Sequence, residues 1–403
     1  MWALGFTSLL TDVSSEMVAS VLPLYLVLHL GMTPLAFGIV DGLYQGAAAL
    51  VRVAAGILSD RSQRYKSIAV LGYGLSAACR LLILAGGAAW STIGSIIVID
   101  RIGKGIRTAP RDALISQRSP CRGLATAFGV HRALDAAGAM LGPVVAFGLL
   151  AAMPDAFDVL FVVSFAIAII GVVAIAMFVP ATTDKDRVVT STPTSVGTAL
   201  ALFAEPRFKA IVIAGSVLGL ATMSDAFVFL VLQRRLGISA MAFPLLYVGT
   251  SLFTSVFSVP CGRLADRFGR SRVLLAGYGV LGLVYAALLL PATLAPTVVA
   301  VLAIALLGAY YSATDGVLTA MAAAVLPGRR SGSGLSLLAT ATNSARLLAS
   351  VAFGWLWTLT GPDLATIAFL GALAAAGAVG SIVLVRAEAH AAPQDTIDLA
   401  RAV

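Results

Sequence analysis

The sequence predicts an all-α membrane protein of twelve transmembrane helices in two pseudosymmetric six-helix bundles, and three observations predict it. Of 403 residues, 59% are hydrophobic and 11% charged, against roughly 25% charged in soluble domains. Apolar runs recur along the whole length, each about the ~20 residues that cross a hydrocarbon core of roughly 30 Å. Segments of the first half also reappear in the second at a near-constant spacing.

Polar and Gly/Pro-rich punctuation places the helices at roughly 3–30, 36–58, 67–86, 92–115, 123–150, 157–179, 208–235, 241–263, 271–291, 297–325, 333–358 and 363–386. The start, MWALGFTSLLTDVSSEM, has no basic leader and no small-residue cleavage site. It reads as the first membrane helix and not as a signal peptide. The loops DRSQRYK (60–66), QRSPCR (117–122), DRFGRSR (266–272) and PGRR (327–330) are basic, whereas GGAAWST, MPDAFD, PATLAPT and TGPD carry no Lys or Arg. The positive-inside rule puts the basic set and both termini in the cytoplasm, in a multi-pass protein of the cytoplasmic membrane. Arg234 and Arg235 run against that pattern. Residues 181–207, rich in Thr and Ser at their start, form the expected cytoplasmic linker between a first bundle over 1–180 and a second over 208–388, with a tail over 389–403.

The repeat is specific. Gly56, Asp60 and Arg61, followed by Arg64, match Gly262, Asp266 and Arg267, followed by Arg270, 206 positions on. The same spacing relates Leu30-Gly31 to Leu236-Gly237 and Phe37 to Phe243, and a slip of one residue pairs Gly72-Tyr73-Gly74 with Gly277-Tyr278-Gly279. Two bundles of one design follow.

Composition excludes several classes. Cys79, Cys121 and Cys261 lie far apart, and His29, His131 and His390 have no ligand spacing, so neither a disulfide framework nor a dedicated metal site is expected. The net charge of +8 resides mostly in short loops between spans, which is topology and not nucleic-acid binding. No nucleophile, base and oxyanion set and no Walker loop is visible, so an enzyme is not expected.

With twelve spans, a central linker and GxLaDRxGRR-like loops between helices 2 and 3 and helices 8 and 9, the chain resembles the major facilitator superfamily over essentially its whole length. The resemblance implies alternating access and a loop motif that locks the bundles together. Asp60 would cap the start of helix 11 of the opposite bundle, with Arg64 and Asp112 completing a charge relay; Gly262, Asp266, Arg267 and Arg270 form the second copy. The first copy carries Gln63 where a Gly is usual, and the second lacks an acid corresponding to Asp112. In helix 5, GAMLGPVVAFG is similar to the GxxxGP segment of antiporters, with Gly138, Gly142 and Pro143 at the motif positions. The same residues also suit close helix packing and a kink.

Buried ionisable groups cost at least ~2.5 kcal/mol each near the membrane centre and therefore mark function. Asp12 and Glu16 lie one turn apart on helix 1. Arg101, Lys104, Arg107 and Arg111 of the stretch RIGKGIRTAPRDA form one stripe down helix 4, within an arc of about 120°. In the family, helices 1, 4, 7 and 10 line the cavity, and Arg101 followed by Gly103 and Gly105 resembles a proton-coupling feature. Matched depths suggest a network of Asp12 and Glu16 with Arg101, Lys104 or Arg107, and with Asp135. Asp225 on helix 7 and Asp315 on helix 10 complete the coupling and cavity candidates, Asp315 as a cross-cavity partner of Lys104. Asp41, Tyr44, Gln45, His131, Tyr310, Tyr311, Asn343 and Arg346 are the substrate-binding candidates. Arg52 and Arg80 read as snorkelling or structural.

The expectation is a secondary transporter of a small solute, proton-coupled and exporting by antiport, driven by a proton gradient without a cofactor and working as a monomer in the bilayer. A metal-ion or organic-anion carrier of the same fold is the alternative, and a non-transporting receptor or scaffold the alternative of another class.

Overall fold

Pro23 lies inside the first helix, and its missing N–H loosens the ladder there. The helix α1 (Trp2–Leu24) continues as one π turn, Tyr25–His29, in which the Leu30 N–H reaches back to the Tyr25 carbonyl at 2.9 Å. Gly31, at φ +65°, then ends the helix in the left-handed conformation that glycine adopts without strain. The computed structural model describes residues 2–46, 51, 64–86, 89–118, 124–179, 201–290, 295–326 and 331–389.

Those residues are almost wholly helical, with no strand among them. After α1 come α2 (34–46), α3 (Tyr65–Ala85), α4 (Trp90–Arg118), α5 (Leu124–Ala152) and α6 (Phe157–Phe178). The second series is α7a (Pro206–Leu220), α7b (Asp225–Leu236), α8 (Pro244–Phe268), α9 (Arg270–Leu288), α10 (Pro296–Val325), α11 (Ser331–Thr360) and α12 (Pro362–Ala389). Nine spans among the described residues are long and apolar enough to cross a membrane. The predicted twelve are these together with α2, α4 and α11. Helix α4 falls short on hydropathy because it carries the charged stripe, and α11 because Ser, Thr, Gly and Asn dilute it.

The surface is that of a lipid-solvated chain. Helix α6 is apolar all round, which places a helix in lipid or in a large core, and Val162, Ile170, Met177 and Phe178 stand exposed on it. Arg80, Asp100, Arg101 and Arg107 are buried instead.

The chain divides into two compact units, Met1–Thr192 with Asp225–Val248, and Pro193–Ser224 with Gly249–Val403. In the first, α1 packs on α5 and α6, and α3 on α4 and α6. In the second, α7a packs on α11 and α12, and α9 on α10 and α12. The sequence repeat reappears in the backbone. Gly31 and Gly237 have φ +65° and +63°, and Phe37 and Phe243 are both buried. A Cβ on Gly72 would meet the Arg107 amide nitrogen at 2.8 Å, and one on Gly277 the Thr314 methyl at 2.8 Å. The same glycine therefore closes α3 on α4 and α9 on α10.

One predicted element is corrected. Helix 7, expected unbroken over 208–235, is interrupted at 221–224. The Tyr285 hydroxyl of α9 fills the break, accepting from the Met223 N–H at 2.6 Å and donating to the Ala221 carbonyl at 3.1 Å. In a membrane helix freed backbone groups need such partners. The polar cluster Thr222, Ser224 and Asp225 in mid-span was the available signal.

Candidate functional site

Two polar sites stand inside the apolar frame, one in each unit. In the first unit the stripe of α4 is split among different partners, because its residues face different helices at different depths. The close contacts of Arg101 are with other groups than the acids of α1, the partners expected for it. Arg101 bonds the carboxylate of its own neighbour Asp100, through Nε at 3.0 Å and through Nη2, and its guanidinium lies 3.9 Å above the Tyr44 ring. Arg80 of α3 holds the other Asp100 oxygen at 3.1 Å and donates to Ser15 of α1 at 3.1 Å. Arg80 is thus not a snorkelling residue but half of a buried clamp, only 3% exposed. Asp100 escaped the sequence reading, although an acid in mid-span directly before Arg101 carried the same signal as the acids that were noted.

Asp12 takes Arg107, two steps below Arg101 on the stripe, at 3.7 Å. The Arg107 guanidinium is stacked 4.7 Å from the Tyr73 ring, and among the described residues its Nε and Nη1 make no hydrogen bond. Lys104 lies within electrostatic reach of Glu16 and Asp12, and Arg101 of Glu16. Asp135 meets Arg111 at 3.7 Å and the His131 Nε2 at 3.5 Å. Arg111 also donates to Ser8 at 3.1 Å, so it bridges α1 and α5.

The glycines of α5 explain why α1 can carry two acids so close to the stripe. A Cβ on Gly138 would stand 2.7 Å from the Leu9 carbonyl, and one on Gly142 would stand 2.7 Å from both the Met17 nitrogen and the Val13 carbonyl. The face holding Asp12 and Glu16 is therefore locked backbone to backbone against α5, with Pro143 buried beside it. Asp41 is buried on α2, Gln45 is half-buried there, and Asp225 stands in the first turn of α7b.

In the second unit, Asp315 of α10 and Arg346 of α11 pair at 3.2 Å. Asp315 thus finds its cation within its own unit, where Lys104 was expected. The pair borders a cavity of ≈ 230 Å³ between α7a, α9, α10 and α11, reaching Asn343, Tyr278, Thr314 and Leu338. Two substrate-binding candidates, Asn343 and Arg346, and one coupling candidate, Asp315, are brought together here. Tyr310 and Tyr311 are not among the lining residues. Tyr310 is fully buried behind the wall, with its ring 5.4 Å from Tyr278 and 5.0 Å from Tyr311.

The loop motifs divide differently. Gly56, Asp60, Arg61 and Gln63 lie outside the described residues, as do Arg52 and the side chain of Asp112; Arg64 is exposed just ahead of α3. In the second copy, Asp266 meets Arg270 at 3.7 Å, Arg270 donates to the Ala320 carbonyl at 3.2 Å, and Arg267 lies over Phe268. Gly269 holds φ +97° between α8 and α9, while a Cβ on Gly262 would meet nothing within 4 Å. Among the described residues, no group of three or more His, Cys, Asp or Glu side chains is placed to hold a metal ion.

Known proteins agree with this architecture. A family model described as the Major Facilitator Superfamily matches residues 4–248 and 212–401. An uncharacterised MFS-type transporter of Methanocaldococcus jannaschii is 34% identical over 292 residues, covering 70% of this chain and 70% of the relative. The solved nucleoside transporter NupG matches with a TM-score of 0.80 at 16% identity, over 95% of this chain and 98% of its own. A variant of the peptide transporter POT matches with a TM-score of 0.76 at 16% identity, over 98% and 94%. At that identity the two structures attest the fold alone. Repeated halves, charge buried in an apolar frame, and a family match spanning nearly the whole sequence lead to one conclusion: the chain belongs to the Major Facilitator Superfamily, and is a multi-pass membrane transporter and not an enzyme.

Proposed function

We propose that the protein is a proton-coupled secondary transporter that exports a small solute by antiport, with Asp12 and Glu16 of α1 as the proton-handling acids. The observation that carries this reading is the contrast between two buried carboxylates. Asp100 is gripped by two guanidiniums with its side chain only 5% exposed, so a proton placed there would leave two buried cations uncompensated. Asp12 has one cation at 3.7 Å and its side chain is 16% exposed. A carboxylate that can exchange its proton with water, and whose ion pair opens when it does, couples proton movement to a change of packing. Lys104 and Arg107 on α4 provide the charge that follows. Export rests on the helix 5 segment, whose glycines set the α1–α5 contact behind those acids.

The test is dissipation of an imposed pH gradient in proteoliposomes, read with a pH-sensitive dye, on addition of pooled amino acids, nucleosides, peptides, organic anions or organic cations. At least one pool elicits proton flux from the wild type, and Glu16→Gln or Asp12→Asn abolishes it while thermal shift by the same pool persists. Proton flux unchanged in both variants overturns the assignment of the acids, and no flux from any pool overturns proton coupling.

A further inference from the structure

The cavity of the second unit has a chemistry of its own, because it sets one carboxylate on α10 beside one guanidinium on α11, with an apolar wall next to them. On α10 the Thr314 hydroxyl donates to the Tyr310 carbonyl at 2.8 Å and the Thr319 hydroxyl to the Asp315 carbonyl at 2.9 Å. Both hydroxyls have spent their proton on their own helix, so with the Asp315 carboxylate they offer a ligand only acceptor lone pairs. On α11, Arg346 offers donors, Asn343 a donor and an acceptor, and Thr342, whose hydroxyl donates to the Leu338 carbonyl at 2.9 Å, an acceptor; the bond to Asp315 engages one of the five N–H groups of the guanidinium. Leu318, Leu335 and Leu338 supply an apolar remainder. The side chains of Asp315 and Arg346 are 57% and 27% exposed, so the pair is reachable from the cavity.

We propose that this cavity binds a small zwitterion with its ammonium and carboxylate on one carbon and an apolar side chain, an amino-acid-like solute. The inference rests on the reading of the chain as a secondary transporter of small solutes, not on the coupling ion. The ammonium takes Asp315 and the α10 acceptors, the carboxylate takes the fork of Arg346 with Asn343, and the side chain lies against the leucines. This exchange keeps both protein charges compensated. A simple anion would take Arg346 from Asp315 and leave the carboxylate to water alone, and a simple cation would do the converse, whereas the zwitterion answers both charges at once. A neutral solute would leave the pair closed. The volume, ≈ 230 Å³, lies below the roughly 300–1,000 Å³ of pockets for drug-sized ligands.

Equilibrium binding to the purified full-length protein in detergent, at one fixed pH, tests this with three probes of one shape: L-leucine, 4-methylpentanoate without the ammonium, and 3-methylbutylamine without the carboxylate. L-Leucine binds the wild type at least about tenfold tighter than either truncated probe, as expected where a polar group lost from the ligand strands its partner. Asp315→Asn moves the preference toward 4-methylpentanoate and Arg346→Gln toward 3-methylbutylamine. Equal or tighter wild-type binding of a singly charged probe, or no binding of L-leucine at millimolar concentration, overturns the proposal without recourse to any variant. If other solute pools elicit proton flux while L-leucine does not bind, the zwitterion assignment falls and the transport reading stands.

Discussion

Asp100→Asn is the substitution whose consequence follows most directly from the geometry. It keeps the shape of the side chain and removes the charge that two buried guanidiniums share, Arg80 at 3.1 Å and Arg101 at 3.0 Å through Nε. Removing one partner of a buried pair costs about 3–5 kcal/mol, because the desolvated charge left behind has no compensation. Here two cations lose their partner, and only the Ser15 hydroxyl and the Tyr44 ring remain to them among the contacts described above. The first unit is comparable in size to domains of 150–250 residues, which lose roughly 2–4 °C of melting temperature per kcal/mol, so a fall on the order of 10 °C is expected. Asp12→Asn is the internal comparison. One cation stands at 3.7 Å from it and its side chain is 16% exposed, a longer and wetter contact than either at Asp100, so the smaller fall of the two is expected. Melting of the purified protein in detergent, followed by intrinsic fluorescence, reads both variants in one experiment. Equal melting shifts for the two, or a fall of less than about 2 °C for Asp100→Asn, would refute the separation of a structural from a working carboxylate.

Other perturbations test the frame around the sites. Tyr285→Phe removes the hydroxyl that bridges Ala221 and Met223; the stranded groups cost about 1–3 kcal/mol, and hydrogen exchange at Met223 speeds up while amides within α9 hold. Gly142→Ala puts a methyl 2.7 Å from two backbone atoms of α1, and overpacking of this kind costs about 1–3 kcal/mol; a melting temperature equal to that of the wild type would contradict the close α1–α5 approach. Gly31→Ala and Gly237→Ala each force an alanine into φ +65° or +63°, at a cost of about 1 kcal/mol. Because a Cβ meets nothing within 4 Å at either position, the two melting shifts should be alike, and a large difference would count against the equivalence of the two halves.

Much of the architecture was legible because lipid writes its constraint residue by residue. Helix number followed from run length and punctuation, and the repeat of Gly31 in Gly237 and of Gly72 in Gly277 announced contacts that the backbone then reproduces. The break in helix 7 was not legible as a break: Thr222, Ser224 and Asp225 are tolerated inside membrane helices, and only the Tyr285 hydroxyl, 62 residues from Met223, makes a non-helical turn affordable there. The charged stripe of α4 was visible as a stripe, and the depth of Asp12 pointed to Arg107 as one of three candidates. The pairing of Arg101 could not be read in the same way. Depth along a helix fixes which residues share a level, but the direction of each side chain around the axis decides between an acid on α1 and Asp100 on its own helix.

What the sequence by itself determined is the membrane environment, the two-bundle design and the residue types held inside it, since burial in lipid is a property of composition and period. What only the tertiary structure decided is who meets whom: Asp100 between two arginines, Asp12 beside one, and Asp315 with Arg346 at the edge of a cavity. The pairings of the first unit depend on interhelical approach set by the close packing of Gly72, Gly138 and Gly142. A few ångströms of approach, which no spacing along a single chain encodes, decide which charges meet.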